Sequence, residues 1–242
     1  MTSDQPFCHL IARLCVVAAD GVSSLACYGV LNMARRNGMD QNDPLPVGRP
    51  VRVTLQLNDL ARDIPAGYRL RLALSNQHWP ILWPQPGLVR CSISAGVLTL
   101  PVFEGGDPVN WQASEIAAPV ASETLEAGES SRVILHDVGS GEVTVSLREH
   151  AGRVRILDRN IDVFDGSNEV YTIHADDPLC ASMTSETLTG TKSGAVDARV
   201  LARTSLSADA THFNLSWVVE TQNHGATIHR MEGSKRLPRG GL

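Results

Sequence analysis

The chain has 242 residues, the size of one large all-β domain or of two small domains. Hydrophobic residues make up 43% of it and charged residues 19%, which indicates a folded globular protein and excludes a disordered one. The formal net charge of −5 argues against nucleic acid as a partner, because binding to phosphates needs a basic patch.

No apolar run approaches the roughly 20 residues that cross a bilayer, and the first residues lack the basic start of a signal peptide. We therefore expect a cytoplasmic protein with no membrane partner. The five cysteines are odd in number and show no C-x-x-C spacing, so we interpret them as buried thiols in a reducing compartment, without a disulfide or a zinc site. They are Cys8, Cys15, Cys27, Cys91 and Cys180.

The first hundred residues show the alternation of strands. Residues 14–32 predict a hairpin that turns at Asp20-Gly21. In 51–57, Val51, Val53, Leu55 and Leu57 alternate with polar residues, which predicts a strand, and 68–75 repeat the pattern with Tyr68, Leu70, Leu72 and Leu74 on one face. Residues 64–67, Ile-Pro-Ala-Gly, predict a turn between these two strands.

Residues 103–129 form the longest stretch without strand character, and only 107–121 could hold a short helix. The stretch is either a linker between two halves or a long crossover within one sandwich. We favour the crossover, because each half alone would lack enough core and jelly rolls need long connections.

Strand patterns return after this stretch. Residues 141–158 predict a hairpin turning near Ala151-Gly152, and 168–174 predict a strand that stops before Asp176. After a passage rich in Ser, Thr and Gly, strands are predicted over 195–208, 212–221 and 226–233, the last two joined by a turn at 223–225. About ten strands with almost no helical periodicity predict an all-β sandwich or barrel.

Catalytic and ligand-binding motifs are not evident. There is no G-x-S-x-G, and Ser140 and Ser167 lie in sequences that we interpret as hairpin turns (138–142 and 165–169). His224 and His229 have a zinc-like spacing without upstream cysteines, and His174–Pro178 is typical of a turn at a strand end. We predict no catalytic, cofactor or metal-binding residue.

Residues 79–84 carry two Trp-Pro pairs directly after a predicted strand, in a chain with only four tryptophans. Three interpretations are open for Trp79, Pro80, Trp83 and Pro84. The tryptophans could plug one end of the sandwich, dock onto another domain as aromatic anchors, or form an exposed platform for stacking sugars.

The segments 28–38, 45–87 and 98–102 together resemble a known family. They follow the order G-V-L-N, a strand, an Ile-Pro-Ala-Gly turn, a second strand and W-P-x-x-W-P-x-P. This order is similar to the C-terminal non-catalytic domain of CocE/NonD family hydrolases, which is shared with X-Pro dipeptidyl-peptidases. The resemblance continues more loosely to the end of the chain.

The resemblance implies one galactose-binding-like, jelly-roll β-sandwich over residues 1–242. In the family this domain accompanies an α/β-hydrolase domain that holds a Ser-Asp-His triad and cleaves esters, amides or X-Pro bonds. No triad residue has a counterpart in this sequence, so we expect the chain to be inactive alone and to pack on that catalytic domain, in cis or as a separate chain. In this context Trp79 and Trp83 become partly core and partly docking surface.

The resemblance also implies that the jelly roll lacks its first strand or strands. A missing strand leaves an open sheet edge, through which the chain could form a homo-oligomer. The alternative function is a free-standing jelly-roll binding module, for instance for carbohydrate, with exposed coplanar tryptophans and a calcium site. Both functions are compatible with the fold alone.

Overall fold

The computed structural model describes residues 1–106 and 110–240, and its regular structure is almost entirely β, which confirms the predicted all-β class. Within the described residues, thirteen strands form three antiparallel sheets, and the one helical element is a 3₁₀ turn at Met33–Arg35. The strands are β1 (Thr2–Ser3), β2 (His9–Val17), β3 (Ser23–Asn32), β4 (Arg69–Ser75), β5 (Cys91–Ser92), β6 (Ser122–Glu126), β7 (Glu129–His136), β8 (Glu142–Ile156), β9 (Ile161–His174), β10 (Asp177–Ser193), β11 (Val196–Ala208), β12 (His212–Asn223) and β13 (Ala226–Pro238).

A three-stranded sheet with the order β3-β2-β4 forms the first part of the chain. The hairpin β2-β3 turns at Asp20-Gly21 as predicted, and Gly21 has the positive φ of +91° that such a turn requires. Gly67, with φ +84°, closes the predicted turn before β4. Leu70, Leu72 and Leu74 pair with alternate residues of β2 and share one face, which confirms the alternation seen in the sequence.

The predicted strand at 51–57 is wrong, because these residues are extended but join no ladder. Backbone hydrogen bonds hold the ends of the segment: Val51 N donates to Met1 O over 2.9 Å, and Asn58 N donates to Tyr28 O over 2.9 Å. The apolar residues of the segment are nevertheless half-buried in alternation with exposed polar ones. The alternation at 51–57 therefore reflects the packing of one face of the segment on the core, and it does not indicate pairing in a sheet.

The main hydrophobic core lies between β2, the 3₁₀ turn and the segment after it. Its buried members are Cys8, Leu10, Met33 and Leu45, and Val51, Val53 and Leu55 pack against them. The two-residue strands β1 and β5 pair at the margin of this core, with Ser3 opposite Cys91.

The second part of the chain is a large antiparallel sheet with the order β13-β12-β11-β10-β9-β8-β6, in which β7 also pairs with β8. The strands predicted over 168–174, 195–208, 212–221 and 226–233 lie in β9, β11, β12 and β13. The turn at 223–225 is also confirmed, with φ of +49° at His224 and +78° at Gly225.

Strand β10 was not predicted, because its sequence is rich in Ser, Thr and Gly and has no apolar alternation. It pairs with β9 on one side and β11 on the other. Its place in the sheet is therefore set by backbone pairing with two strongly patterned neighbours.

Two predicted turns are wrong because the chain passes straight through them. The hairpin at 141–158 is instead the single strand β8, whose pairing shifts between His150 and Gly152. Gly152, with φ +80°, forms a β-bulge there rather than a turn. Residues 165–169 lie inside β9, whereas 138–142 form the predicted turn, with Asp137 Oδ1 accepting from Gly139 N over 2.8 Å.

The strandless region differs from the predicted 103–129. Residues 93–106 and 110–121 carry no regular structure, and β6 and β7 already occupy 122–126 and 129–136. The possible helix at 107–121 does not form over 110–121, and 107–109 lie outside the described residues. The organisation of 1–242 as one domain, with this region as a crossover, stays a prediction.

Candidate functional site: the Trp-Pro loop

Residues 76–90, which we call the Trp-Pro loop, connect the end of β4 to β5. Asn76 Nδ2 donates to Val89 O over 2.6 Å and draws the two ends of the loop together. Inside the loop, Leu82 N donates to His78 O over 2.8 Å. Prolines at 80, 84 and 86 remove three backbone donors, which explains why the loop does not extend β4 into a longer ladder.

The two tryptophans begin a chain of edge-to-face aromatic contacts that reaches the large sheet. The Trp79 and Trp83 ring centroids are 5.3 Å apart at 74°. Trp79 meets Tyr171 of β9 at 6.0 Å, and Trp83 meets Phe213 of β12 at 6.1 Å. These distances lie in the range of favourable aromatic pairs, so the loop packs on the chain's own second part.

Arg239, which follows β13, holds the loop from the other side. Its guanidinium lies 5.0 Å from the Phe213 ring centroid, Nη1 donates to Asp209 O over 3.0 Å, and Nη2 donates to Pro84 O. The side chain is 4% exposed, and burial lowers the pKa of Arg239. A charged group so deeply buried needs these carbonyl acceptors, which ties the end of the sheet to the loop.

A buried polar pair lies beneath the prolines. Gln85 is 2% exposed and His9 of β2 is 5% exposed, and Gln85 Nε2 lies 3.2 Å from His9 Nδ1. Burial lowers the pKa of His9, and the positive charge of Arg239 lowers it further. His9 is therefore neutral at physiological pH.

The loop also contains buried donors without a partner among the described residues. These are the indole Nε1 atoms of Trp79 and Trp83, and the ring nitrogen Nε2 of His78 is buried without a partner in the same way. Such a donor costs about 1–3 kcal/mol when it is desolvated without an acceptor. The aromatic ring contacts and the burial of apolar surface must therefore offset this cost and hold the loop in place.

The four residues predicted as a docking surface are found at different depths. Pro84 is fully buried, whereas Trp79, Pro80 and Trp83 are half-buried. Most of this predicted surface therefore faces the protein interior, in agreement with the partly-core interpretation. Contact between the remaining tryptophan surface and a second domain stays a prediction.

The partners of the tryptophans were missed at the sequence level. Tyr171 and Phe213 occur at ordinary positions of strand patterns, and Arg239 lies in a tail that shows no motif of its own. The scarcity of aromatic residues was the available clue, because large rings in such a chain tend to share one cluster. Only the sheet register places Tyr171 and Phe213 on the same face.

The histidines that drew attention in the sequence serve as structural groups. His174 Nε2 lies 2.8 Å from Ser140 O, and its Nδ1 accepts from Asp176 N over 3.2 Å. Both ring nitrogens are thus bonded to backbone, with Nε2 as the donor, so His174 braces the turn between β7 and β8. His224 Nε2 similarly lies 2.7 Å from Ala195 O.

The described residues offer neither a metal site nor a membrane-spanning helix. No cluster of His, Cys, Asp and Glu side chains in 1–106 or 110–240 could hold a metal ion. The same residues contain no helix of the length and apolarity needed to cross a membrane. Of the cysteines, Cys8 and Cys27 are buried as predicted, but Cys180 is exposed, so the buried-thiol interpretation is wrong there.

Comparison with known proteins gives one match. No curated protein and no solved structure matches the chain significantly. One family model matches residues 1–98, a range that contains the core, the three-stranded sheet and the whole Trp-Pro loop. Residues 1–98 thus match the X-Pro dipeptidyl-peptidase C-terminal non-catalytic domain, which confirms the resemblance over that part of the chain.

Proposed function

We propose that this chain is the non-catalytic module of a serine hydrolase of the CocE/NonD or X-Pro dipeptidyl-peptidase type. It packs on an α/β-hydrolase domain that supplies the catalytic triad, and it supports that domain and shapes substrate access. The observation that carries this proposal is the match of residues 1–98 to the non-catalytic domain of X-Pro dipeptidyl-peptidases. The chain itself contributes no nucleophile and is inactive alone.

The strandless region between the two parts of the chain supports a partner. It holds several large apolar side chains that are almost fully exposed, among them Phe103 at 87%, Trp111 at 86% and Ile116 at 91%. Large apolar side chains exposed to this degree are suited to burial by a partner, and exposed aromatic residues are typical anchors of interfaces. A hydrolase domain covering this region would remove these side chains from water.

The Trp-Pro loop supports the proposal as a second, already ordered surface for a partner domain. Prolines restrict its backbone, and the contacts with Tyr171, Phe213 and Arg239 fix its position. A loop that is already ordered loses little conformational entropy when a partner domain binds. Its half-exposed tryptophan surface is therefore suited to docking as well as to packing.

The carbohydrate-binding alternative has less support. It requires exposed and coplanar tryptophans, whereas Trp79 and Trp83 are half-buried and meet at 74°. A sugar ring cannot stack on both faces at once in this arrangement.

The experiment that tests the proposal begins with the DNA immediately upstream of this reading frame. We expect it to encode an α/β-hydrolase domain with G-x-S-x-G. Co-expressed with this chain, that domain should co-purify with it and hydrolyse ester or X-Pro substrates faster than it does alone. A hydrolase domain that neither binds the chain nor changes in activity or stability would contradict the proposal.

A matched pair of variants locates the interface. We expect Trp111→Ala to weaken binding to the hydrolase domain at least tenfold, because it removes an exposed aromatic anchor. Ile228→Ala, at an exposed position on β13, should leave binding unchanged. Titration calorimetry measures the two dissociation constants. If Trp111→Ala weakens binding no more than Ile228→Ala does, Trp111 is not part of the interface.

Within the described residues, the outer edge of the large sheet at β7 supports the proposed homo-oligomer. Strand β7 pairs with β8 on one side, and its Val133, Ile134 and Leu135 are more than half exposed. In a two-fold antiparallel pairing centred between Arg132 and Val133, Glu129 of one copy faces His136 of the other, and no like charges meet. Such an edge favours association with another chain.

We expect the isolated chain to dimerise through β7, and Ile134→Lys to shift it to monomers, because a lysine on an edge strand disfavours pairing with a second chain. Sedimentation velocity over a range of concentrations measures this equilibrium. Ile228→Lys, on the opposite edge strand β13, is the matched control and should leave the dimer intact. A monomeric wild-type chain at high micromolar concentration would be evidence against the β7 contact.

A further inference from the structure

Two cysteines from distant parts of the sequence lie side by side near the base of the Trp-Pro loop. The sulfur atoms of Cys8 and Cys91 are 3.9 Å apart. Cys8 immediately precedes β2 and belongs to the buried core, whereas Cys91 lies in β5 and is half-buried. Pairing of β5 with β1 places Ser3 opposite Cys91, so backbone hydrogen bonds hold this part of the chain close to Cys8.

The geometry is close to that of a cross-link. A disulfide has a sulfur–sulfur bond of about 2.05 Å, so the two atoms must approach by roughly 2 Å. Rotation about the side-chain torsions changes the distance between the two sulfur atoms, which lie on segments packed against each other in the core. Cys180 differs from this pair, because it is exposed on the large sheet and its sulfur accepts a hydrogen bond from His174 N.

We propose that Cys8 and Cys91 form an intramolecular disulfide when the chain meets a small disulfide such as oxidised glutathione, and that this bond fixes the end of the Trp-Pro loop. The inference is independent of the proposed hydrolase partner, because it concerns residues 1–98 alone. It replaces the expectation of inert thiols for this pair.

The reaction starts at Cys91, the thiol that a dissolved disulfide can reach. Burial raises the pKa of Cys8 to about 12, and the neighbouring Cys91 contributes to that shift. Cys8 therefore remains a thiol until a mixed disulfide stands next to it, and it acts as the resolving residue.

The exchange is balanced in two steps. Cys91 gives its proton to the buffer, and its thiolate attacks one sulfur of oxidised glutathione, which releases one glutathione thiolate and leaves a mixed disulfide. Cys8 then gives its proton to the released glutathione thiolate and attacks the sulfur of Cys91. This step expels the second glutathione as a thiolate, which takes up the proton held by the buffer. The two protein thiols are oxidised, and one oxidised glutathione is reduced to two thiols.

The bond has a structural consequence for the loop. Its first end continues from β4, which is firmly paired with β2 over seven residues. Its second end is held by the two-residue pair β1-β5 and by the bond from Asn76 to Val89. A covalent link from Cys91 to Cys8 would anchor this weaker end in the core.

The test uses the full chain, fully reduced and then incubated with oxidised glutathione at mildly alkaline pH. After quenching with an alkylating reagent, mass spectrometry counts the remaining thiols and finds cross-linked peptides. We expect the five thiols of the reduced chain to fall to two, with one peptide pair joining Cys8 and Cys91 and one glutathione on the exposed Cys180. Cys180→Ser should lose only the thiols of Cys8 and Cys91, whereas Cys91→Ser should form no cross-link to Cys8.

The second measurement is amide hydrogen exchange over residues 76–90. In the oxidised chain we expect this exchange to be several-fold slower than in the reduced chain. In Cys91→Ser, the same treatment with oxidised glutathione should leave the exchange rate unchanged. Failure to form the Cys8–Cys91 peptide pair, while Cys180 takes up glutathione and so shows that the oxidant is active, would overturn the proposal. Exchange that is unchanged by the cross-link would overturn its effect on the loop.

Discussion

At the scale of single residues, Trp83 is the side chain on which the seating of the Trp-Pro loop depends most directly. It contacts both Trp79 and Phe213, and it adjoins the fully buried Pro84. We expect Trp83→Ala to lower the free energy of unfolding by about 2–3 kcal/mol, somewhat less than for a fully buried tryptophan because the ring is half-exposed. Chemical denaturation with urea measures the change.

Trp111→Ala is the matched control for this loss of stability. Trp111 is 86% exposed, so its removal should change the free energy of unfolding of the isolated chain by less than about 0.5 kcal/mol. A loss at Trp111 equal to that at Trp83 would mean that the loop is not the packed element described above.

His9 gives the chain a second residue-scale property, a dependence of stability on pH. Burial and Arg239 lower the pKa of His9 in the folded state, so the unfolded chain binds the proton more tightly. The stability contributed by the neutral ring is therefore complete above the unfolded pKa of about 6.5 and is lost as the pH falls below it. We expect the melting temperature to fall between about pH 7 and pH 5.

His9→Gln separates this effect from other titrations. It cannot be protonated, so the decline between about pH 7 and pH 5 should become shallower, with a remainder from His78, whose pKa burial also lowers. Hydrogen bonds from arginines lower the pKa values of Asp162 and Asp197. Their protonation therefore reduces the stability only below about pH 4, outside this range. An unchanged slope in His9→Gln would show that the buried histidine is not the source.

At the scale of elements, the sequence predicts strands well where one face is apolar and poorly where backbone pairing alone decides. The Leu70, Leu72 and Leu74 alternation marks β4 because it follows the pleat. The same pattern at 51–57 has no pairing partner, and β10 has partners without the pattern. Side-chain periodicity reports which residues share a face, whereas a ladder also requires neighbours that only the folded chain brings together.

The same limit applies to the candidate site. Trp79 and Trp83 could be singled out from the sequence because tryptophan next to proline is conspicuous in an aromatic-poor chain. Their contacts with Tyr171 and Phe213 could not be predicted, since they depend on the register that β10 and β11 set between β9 and β12. Arg239 is fixed by the end of β13, which local patterns placed five residues too early, at 233 rather than 238.

The bulge in β8 lies where the sequence predicts a hairpin turn, and its geometry makes Gly152 sensitive to substitution. Gly152 has φ +80°, and a Cβ there would lie 2.2 Å from Glu126 O. Gly152→Ala must therefore displace β6 from β8 as well as strain its own backbone. We expect a loss of at least about 2 kcal/mol in the free energy of unfolding.

Gly225→Ala is the control for the backbone strain alone. Gly225 has a similar φ of +78°, but a Cβ added there meets nothing within 4 Å. Its substitution should cost about 1 kcal/mol, the ordinary penalty for alanine at positive φ. Equal losses in the two variants would show that β6 is not packed against the bulge.

At the scale of the whole molecule, the Trp-Pro loop and Arg239 join the first sheet to the large sheet. Arg239 is buried and binds Pro84 O on one side and Asp209 O on the other, so it belongs to both parts. If residues 1–242 form one domain, urea unfolding monitored by tryptophan fluorescence and by far-ultraviolet circular dichroism should give one coincident transition. Two separate transitions in the wild-type chain would instead divide it into two domains.

Arg239→Ala should break that coupling. The substitution removes the contact over Phe213 and leaves the carbonyls of Pro84 and Asp209 without this donor. We therefore expect the fluorescence transition to occur at a lower urea concentration than the dichroism transition. The free energy of unfolding that fluorescence reports should fall by about 2–4 kcal/mol. Arg230→Ala, which removes an exposed arginine from β13, should shift neither transition appreciably. Trp79 and Trp83 of the loop share the fluorescence with Trp217 of β12 and the exposed Trp111, whereas the strands dominate the dichroism. Transitions that stay coincident in Arg239→Ala would mean that contacts other than this arginine hold the two sheets together.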